Sequence, residues 1–300
     1  MTRYALAVDV GGTKMEAALV SEDGTLVDGS RSRQATGREA TPESFDAAVA
    51  AIVQHALAAL PADAELVGAG AGSAGPVDRP SGTIVPVNMP SARGYGLAAA
   101  VRREASAVLG RDLPTVLGHD GGALALAESW RGATQDAAAS LSIVVSTGVG
   151  GGFVVNGAYI PGASGNAGHL GQIRREGGLT LEEIASGPAS VTWAQQQGWV
   201  GSTGEDLARD SAAGDAIARA AIERSAKAVG EALADAATLV DLDTVAIGGG
   251  FSRVSDDYIE LVQEALTASA VHEYSRRARV VRSGLGDEGP LIGAAALVLR

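Results

Sequence analysis

The chain has 300 residues, 46% of them hydrophobic and only 19% charged, enough apolar material for one large domain or two ordinary ones with buried cores. A formal net charge of −12 argues against a nucleic-acid partner, because phosphate backbones are bound by excess Lys and Arg. With no cysteine, disulfides and thiolate metal sites are excluded, and the four histidines (His55, His119, His169, His272) lack close metal-ligand spacing.

Tyr4–Asp9 reads as a buried strand and Met15–Val20 as its hairpin partner, with a third strand beginning at Thr25–Val27. The first apolar run is cut by Asp9, so it is no signal-peptide core, and no run reaches membrane-spanning length. A soluble, cytoplasmic protein is the expectation. Thr41–Leu60 is predicted as a helix, capped by Thr41, opened by Pro42 and stopped by Pro61. Glu65–Gly72 and Pro114–Leu117 are predicted strands, and Gly96–Gly110 and Asp120–Arg131 predicted helices.

The order then begins afresh. Ala139–Ser146 and Gly152–Val155 are predicted strands around a second glycine turn, followed by helices at Leu179–Ser186, Ala189–Gln197 and Ala212–Ala237. Val245–Ile247 and Ala278–Arg282 are predicted strands, and Asp256–Ala268 and Glu288–Leu299 predicted helices. Two halves, each opening on a strand, a glycine turn and a strand, predict two related α/β domains facing a cleft. The expected division is 1–118 and 119–287.

Three glycine motifs stand out. Asp9-Val10-Gly11-Gly12-Thr13-Lys14 suits a plain Gly-Gly hairpin as well as a phosphate cradle, in which backbone N–H groups approach an anion unobstructed and Asp9 faces hydrated Mg²⁺. It is not a Walker A loop, because a strand follows where that loop opens a helix. Ser146-Thr147-Gly148-Val149-Gly150-Gly151-Gly152 is a second such turn, and Gly248-Gly249-Gly250 ends a strand before a helix. One hairpin is easily dismissed; one in each half is not.

Together these motifs resemble the ROK sugar kinases, of the actin-like, hexokinase-type ATPase superfamily, and the resemblance runs nearly end to end. Residues 9–14 are similar to the family's first phosphate motif, 146–152 to its second, 70–78 to its Gly-Pro turn and 247–250 to its adenosine-side motif. Residues 289–295 resemble the C-terminal helix that returns to the first domain, here 288–300. The resemblance implies two actin-like (ribonuclease H-like) α/β domains around a central cleft. It also implies an ATP- and Mg²⁺-dependent kinase acting on a hexose or amino-hexose, usually at the 6-hydroxyl, and a homodimer with no membrane partner.

The resemblance makes Asp120 the catalytic base; on residues alone it reads equally as a helix N-cap. His119 replaces the family's Asn and is either a sugar contact or a packing histidine. In Gly165-Asn166-Ala167-Gly168-His169, His169 is similar to the family's sugar-touching His, while Asn166 replaces a Glu and also suits a turn with positive φ. Glu182 resembles a Glu that reaches the sugar, or belongs to a solvated acid pair with Glu183. Asn88 falls in a segment similar to the sugar-pocket lining, without the family's usual nearby Trp. Asp9 is implied for Mg²⁺, and Gly11, Gly12, Thr13, Lys14, Thr147, Gly148, Gly249 and Gly250 for the nucleotide.

The family's zinc loop is missing. Residues 172–181 carry no cysteine, so structural zinc is ruled out on ligand chemistry and a variant sugar is favoured. Glucose and an amino-glucose such as kanosamine are held equal. The alternatives are a sugar-sensing ROK-type regulator, for which no helix-turn-helix precedes Asp9, and a non-catalytic sugar-binding protein.

Overall fold

The computed structural model describes residues 1–37, 39–86, 89–175 and 177–300. In chain order the strands are β1 (Arg3–Val10), β2 (Lys14–Ser21), β3 (Ser32–Ala35), β4 (Glu65–Ser73), β5 (Val77–Asp78), β6 (Thr83–Ile84), β7 (Thr115–His119), β8 (Ala139–Val145), β9 (Val149–Val155), β10 (Ala158–Ile160), β11 (Thr244–Gly248) and β12 (Arg279–Arg282). The helices are α1 (Pro42–Ala58), α2 (Leu97–Leu109), α3 (Asp120–Arg131), α4 (Leu181–Ala185), α5 (Gly187–Gln196), α6 (Gly204–Ala212), α7 (Ala216–Val240), α8 (Tyr258–Ser269), α9 (Glu273–Arg276) and α10 (Gly289–Leu299). No helix among the described residues is long and apolar enough to cross a membrane. The chain divides into two compact units, one of residues 1–132, 158–167 and 285–300, the other of 133–157 and 168–284.

In the first unit the sheet runs β3-β2-β1-β4-β7. β1, β2 and β3 form an antiparallel meander, whereas β4 and β7 run parallel to β1. β1 alternates by the two-residue period of a strand. Leu6, Val8 and Val10 pack in the cluster that holds Phe45 and Val49 of α1 and Leu97 and Val101 of α2. Ala5 and Ala7 pack with Leu291, Ala294 and Ala295 of α10. That second face is built from small residues because α10 lies almost on the backbone: a Cβ at Gly70 would stand 1.8 Å from the Ala294 carbonyl oxygen.

In the second unit β9 is antiparallel to β8, and β11 joins β8 to β12 in parallel, giving the order β9-β8-β11-β12. Its core gathers Leu141, Ile143 and Val145 of β8 with Ile222, Val229 and Leu233 of α7. Asp215 starts α7 by accepting from the N–H groups of Ile217 and Ala218. Its alanines and Gly230 let α8 come close, since a Cβ at Gly230 would lie 2.5 Å from that of Ala265.

Two strand expectations are corrected, one helix lacked a visible apolar period, and the compact units divide at a different point from the one expected. The strand expected at Thr25–Val27 makes only an isolated bridge at Leu26, and the third strand is the polar edge Ser32–Ala35. An edge strand with one solvated face need not be apolar. β9 starts at Val149, so Gly150–Gly152 lie inside the strand and the turn is confined to Ser146–Gly148. α6 went unseen because Leu207 is its single buried residue. The units divide after Gly132, not at 118, because α3 packs against α10 and so stays with the first sheet.

Candidate active site

In the first unit a single cross-strand rung carries the chemistry. Arg33, Glu16, Asp9, Gly72 and Gly118 stand in register across β3, β2, β1, β4 and β7. The Asp9 carboxyl lies beside Gly72, its Oδ1 3.4 Å from where a Cβ would stand. Asp9 is half-buried, and burial pushes its carboxyl from 3.8 up to about 7. The negative charges of Asp120 and Glu16 push the same way, and Lys14 opposes them.

Asp120 comes from the start of α3. The N-cap is His119, whose ψ of 146° is extended and whose Nδ1 accepts the Gly122 N–H at 2.9 Å. That nitrogen must therefore be unprotonated. Asp120 is the first helical residue; its Oδ1 accepts the Gly121 N–H at 2.7 Å, and its side chain is 53% exposed. A carboxylate in the first turn is also favoured by the helix dipole. The capping role considered for Asp120 thus belongs to His119, which is buried and holds its neighbour in the open.

The loop between β1 and β2 is closed by the Gly11 N–H donating to the Lys14 carbonyl at 2.9 Å, with Thr13 exposed. The Lys14 ammonium is ion-paired with Glu16, which also holds Arg31 at 2.7 Å and Arg33 at 3.1 Å. Lys14, expected to face a nucleotide, is thus ion-paired with a carboxylate that two arginines share, and its side chain stays partly exposed. Asn166, expected at the sugar, is bonded within the first unit. Its Oδ1 accepts the Val77 N–H at 2.8 Å while its Nδ2 donates to the Val77 carbonyl at 2.7 Å and to Ser164 at 3.0 Å, so it brackets β5. Asn88 lies outside the described residues.

The second unit gathers the other candidates around the turn that joins β8 to β9. Thr147 is exposed, and the Ser146 N–H donates to the Gly148 carbonyl at 2.9 Å. Glu182, on α4, lies beneath this turn: its Oε2 accepts the Val149 N–H at 2.9 Å, and its Oε1 accepts from Gln172 at 3.3 Å. Rather than belonging to a solvated pair, Glu182 braces the turn, while Glu183 closes the capping box of α4 with Thr180. His169 is half-buried at the head of a 3₁₀ turn, Leu170–Gln172. This segment crosses β9 at backbone contact: Gly168 has φ +104°, and a Cβ there would meet the Gly151 carbonyl oxygen at 2.2 Å.

Beside the same turn lies a cleft of about 530 Å³, lined by Thr147, Gly187, Thr203, Gly250, Phe251 and Arg253 among others. The first residues of α5 and α6, Gly187 and Gly204, both border it. The partial positive charge of helix N-termini suits a phosphorylated ligand, although at α5 the Gly187 and Ala189 N–H groups are already held by the Ser146 carbonyl and Ser186 Oγ. Gly249 adopts φ +95° and packs within 2.4 Å, measured from its missing Cβ, of the Val145 carbonyl oxygen, turning the chain so that Gly250 enters the cleft wall. Gly187, Thr203, Phe251 and Arg253 were not singled out from sequence. Ser186 before Gly187-Pro188, and Thr203 three residues before Asp206, are helix-start signals that mark this wall.

Comparison with known proteins decides the family. The ROK family profile matches residues 5–300. The chain belongs to the ROK family. It is 28% identical to a glucokinase of Halalkalibacterium halodurans over 99% of this chain and 95% of that protein. It is 32% identical to an N-acetylmannosamine kinase of Escherichia fergusonii over 87% of each. Among solved structures, a ROK family glucokinase from Streptomyces griseus in complex with glucose and AMPPNP superposes with a TM-score of 0.79 at 28% identity, covering 98% of this chain and 99% of that one. The fold of this ROK protein is thus the actin-like α/β fold that its resemblance to the family implied.

Proposed function

We propose that this protein is an ATP-dependent sugar kinase that phosphorylates a hydroxyl of a hexose or amino-hexose, with Asp120 as the base. The observation that carries the reading is Asp120 itself: a carboxylate held half-exposed at a helix start by a buried histidine cap, with Asp9 close enough to be repelled by it.

In this reading Asp120 accepts the proton of the attacking hydroxyl as the bond to phosphorus forms. The exposed Thr147 and the Gly148 turn, braced by Glu182, offer backbone donors to nucleotide phosphates beside the 530 Å³ cleft. Asp9 and Asp120 fit a divalent cation, since Mg²⁺ is held by one or two carboxylates together with substrate phosphates, and a cation would relieve their repulsion. Bound Mg²⁺ would supply charge neutralisation at the transferring phosphoryl group. His169 and Gln172, next to Glu182, are the groups of the second unit offered to the sugar.

The named relatives act on glucose and on N-acetylmannosamine, so the acceptor is proposed as a neutral hexose or an amino-glucose, attacked at its 6-hydroxyl. A homodimer belongs to the same reading. The test is coupled ADP release across glucose, N-acetylmannosamine, N-acetylglucosamine and 3-amino-3-deoxyglucose, run with the native chain and Asp120→Asn. The expected result is turnover on at least one hexose that falls by about 10³-fold or more in the variant while sugar binding persists. Near-native turnover in Asp120→Asn removes the base. Sugar binding without turnover by the native chain would favour a sensor.

A further inference from the structure

Tyr159, on β10, is a residue the sequence did not mark and the proposed reaction does not yet use. Its hydroxyl is buried, and among the described residues nothing hydrogen-bonds it. A buried hydroxyl without a partner costs stability, so its retention calls for a reason. The position of the group supplies one. The oxygen rests on the first turn of α3, against Gly122, where a Cβ would stand only 2.0 Å from it. Gly122 is the residue whose N–H is held by His119, and Asp120 begins the same turn. Any side chain at 122 would displace the phenol from this turn.

We propose that Tyr159 is a positioning residue for Asp120, its hydroxyl donating to the carboxylate when Asp120 leaves the Gly121 N–H to meet the acceptor hydroxyl. The phenol is matched to this task. It donates one hydrogen bond from a rigid arm, and it carries no charge to compete with a cation at Asp9. In the resting geometry Asp120 Oδ1 is satisfied by the adjacent Gly121 N–H, a bond available in only one orientation of the side chain. A second donor on the other side of the turn gives the carboxylate a defined working orientation. Other charged groups also face this turn. Asp120 raises the Tyr159 hydroxyl and Arg79 lowers it, while burial, the largest influence, keeps it protonated. The Arg79 side chain lies over Gly165, where a Cβ would meet its Cδ at 2.5 Å. Asp9 and the His119 ring, 3.9 Å from Asp120 Oδ1, complete the set.

The proposal rests on Asp120 being the base, and the experiment separates the two. Tyr159→Phe and Asp120→Asn are compared with the native enzyme by steady-state kinetics on the best hexose and by thermal unfolding. Tyr159→Phe removes only the oxygen, so the fold is kept and the melting temperature stays equal or rises. The expected result is a kcat reduced about 10- to 100-fold, the size of one hydrogen bond to a charged group, with both KM values within about twofold of native. A native kcat in Tyr159→Phe beside an inactive Asp120→Asn overturns the positioning role and leaves the base standing. A loss confined to the sugar KM also overturns it, by making the hydroxyl a substrate contact. An active Asp120→Asn overturns both.

Discussion

Asp9 and Glu16 stand opposite each other in register across β1 and β2, yet their carboxyls are driven in opposite directions. Burial acts to raise both. At Glu16 it is outweighed by hydrogen bonds and charge from Lys14 and Arg31, which hold the carboxyl below its usual value. At Asp9 the opposing charge of Lys14 is outweighed by burial and by the negative charges of Asp120 and Glu16. One side of the rung is therefore an ion-pair cluster, and the other is an acid whose protonated form is favoured.

This asymmetry fixes a pH dependence. A carboxyl whose folded value is raised binds its proton more tightly in the native state than in the unfolded one. Asp9 thus favours folding most below about pH 4, and that contribution is lost as pH rises toward its folded value near 7. In Asp9→Asn this loss is absent. Without added divalent cation, the variant is expected to melt a few degrees above the native chain at pH 8, roughly 1–3 kcal/mol, and to show little difference at pH 4. It is also expected to lose kinase turnover. Thermal scans at the two pH values check this, and an equal shift at both would sink it.

His119 tests whether the start of α3 depends on a side-chain cap. Its Nδ1 accepts the Gly122 N–H, and the ring is buried. His119→Ala deletes the acceptor and opens a cavity, and is expected to lower stability by about 2–4 kcal/mol. Asn is among the preferred caps and restores an acceptor, so His119→Asn is expected to recover about half of that. Chemical denaturation of the two variants distinguishes a cap from simple packing, for which Asn would do no better than Ala.

Glu182 separates bracing from direct substrate contact. Glu182→Ala strips the Val149 N–H of its acceptor beneath the Ser146–Gly148 turn. An unpaired backbone N–H costs about 1–3 kcal/mol, and the loosened turn is expected to raise the KM for ATP several-fold. In Glu182→Gln the amide oxygen still accepts from Val149, so stability and the ATP KM stay near native. A Gln variant with a native ATP KM but a much raised sugar KM would place the carboxylate on the sugar.

Much of the fold was legible in residue order. The run Asp9–Lys14 between two apolar stretches announced β1, its turn and β2, and Thr41-Pro42 announced the start of α1 to the residue. Period and punctuation are local properties, carried by a few neighbouring side chains. The polar edge β3 and the thin α6 were not legible, because β3 depends on a partner strand elsewhere in the chain and α6 buries a single leucine of its own, too few for a visible period.

The sequence by itself determined the family, the α/β class and the strand-to-helix junction at which Asp120 stands, since ordered glycine motifs and such a junction are written in contiguous residues. Only the tertiary structure decided which groups were already taken. Lys14 is ion-paired with Glu16, Asn166 is bound to Val77, and Glu182 braces the second glycine turn. It alone set the Tyr159 hydroxyl against Gly122. Hydrogen-bond partners far apart in the chain are chosen by packing, and packing has no local signature.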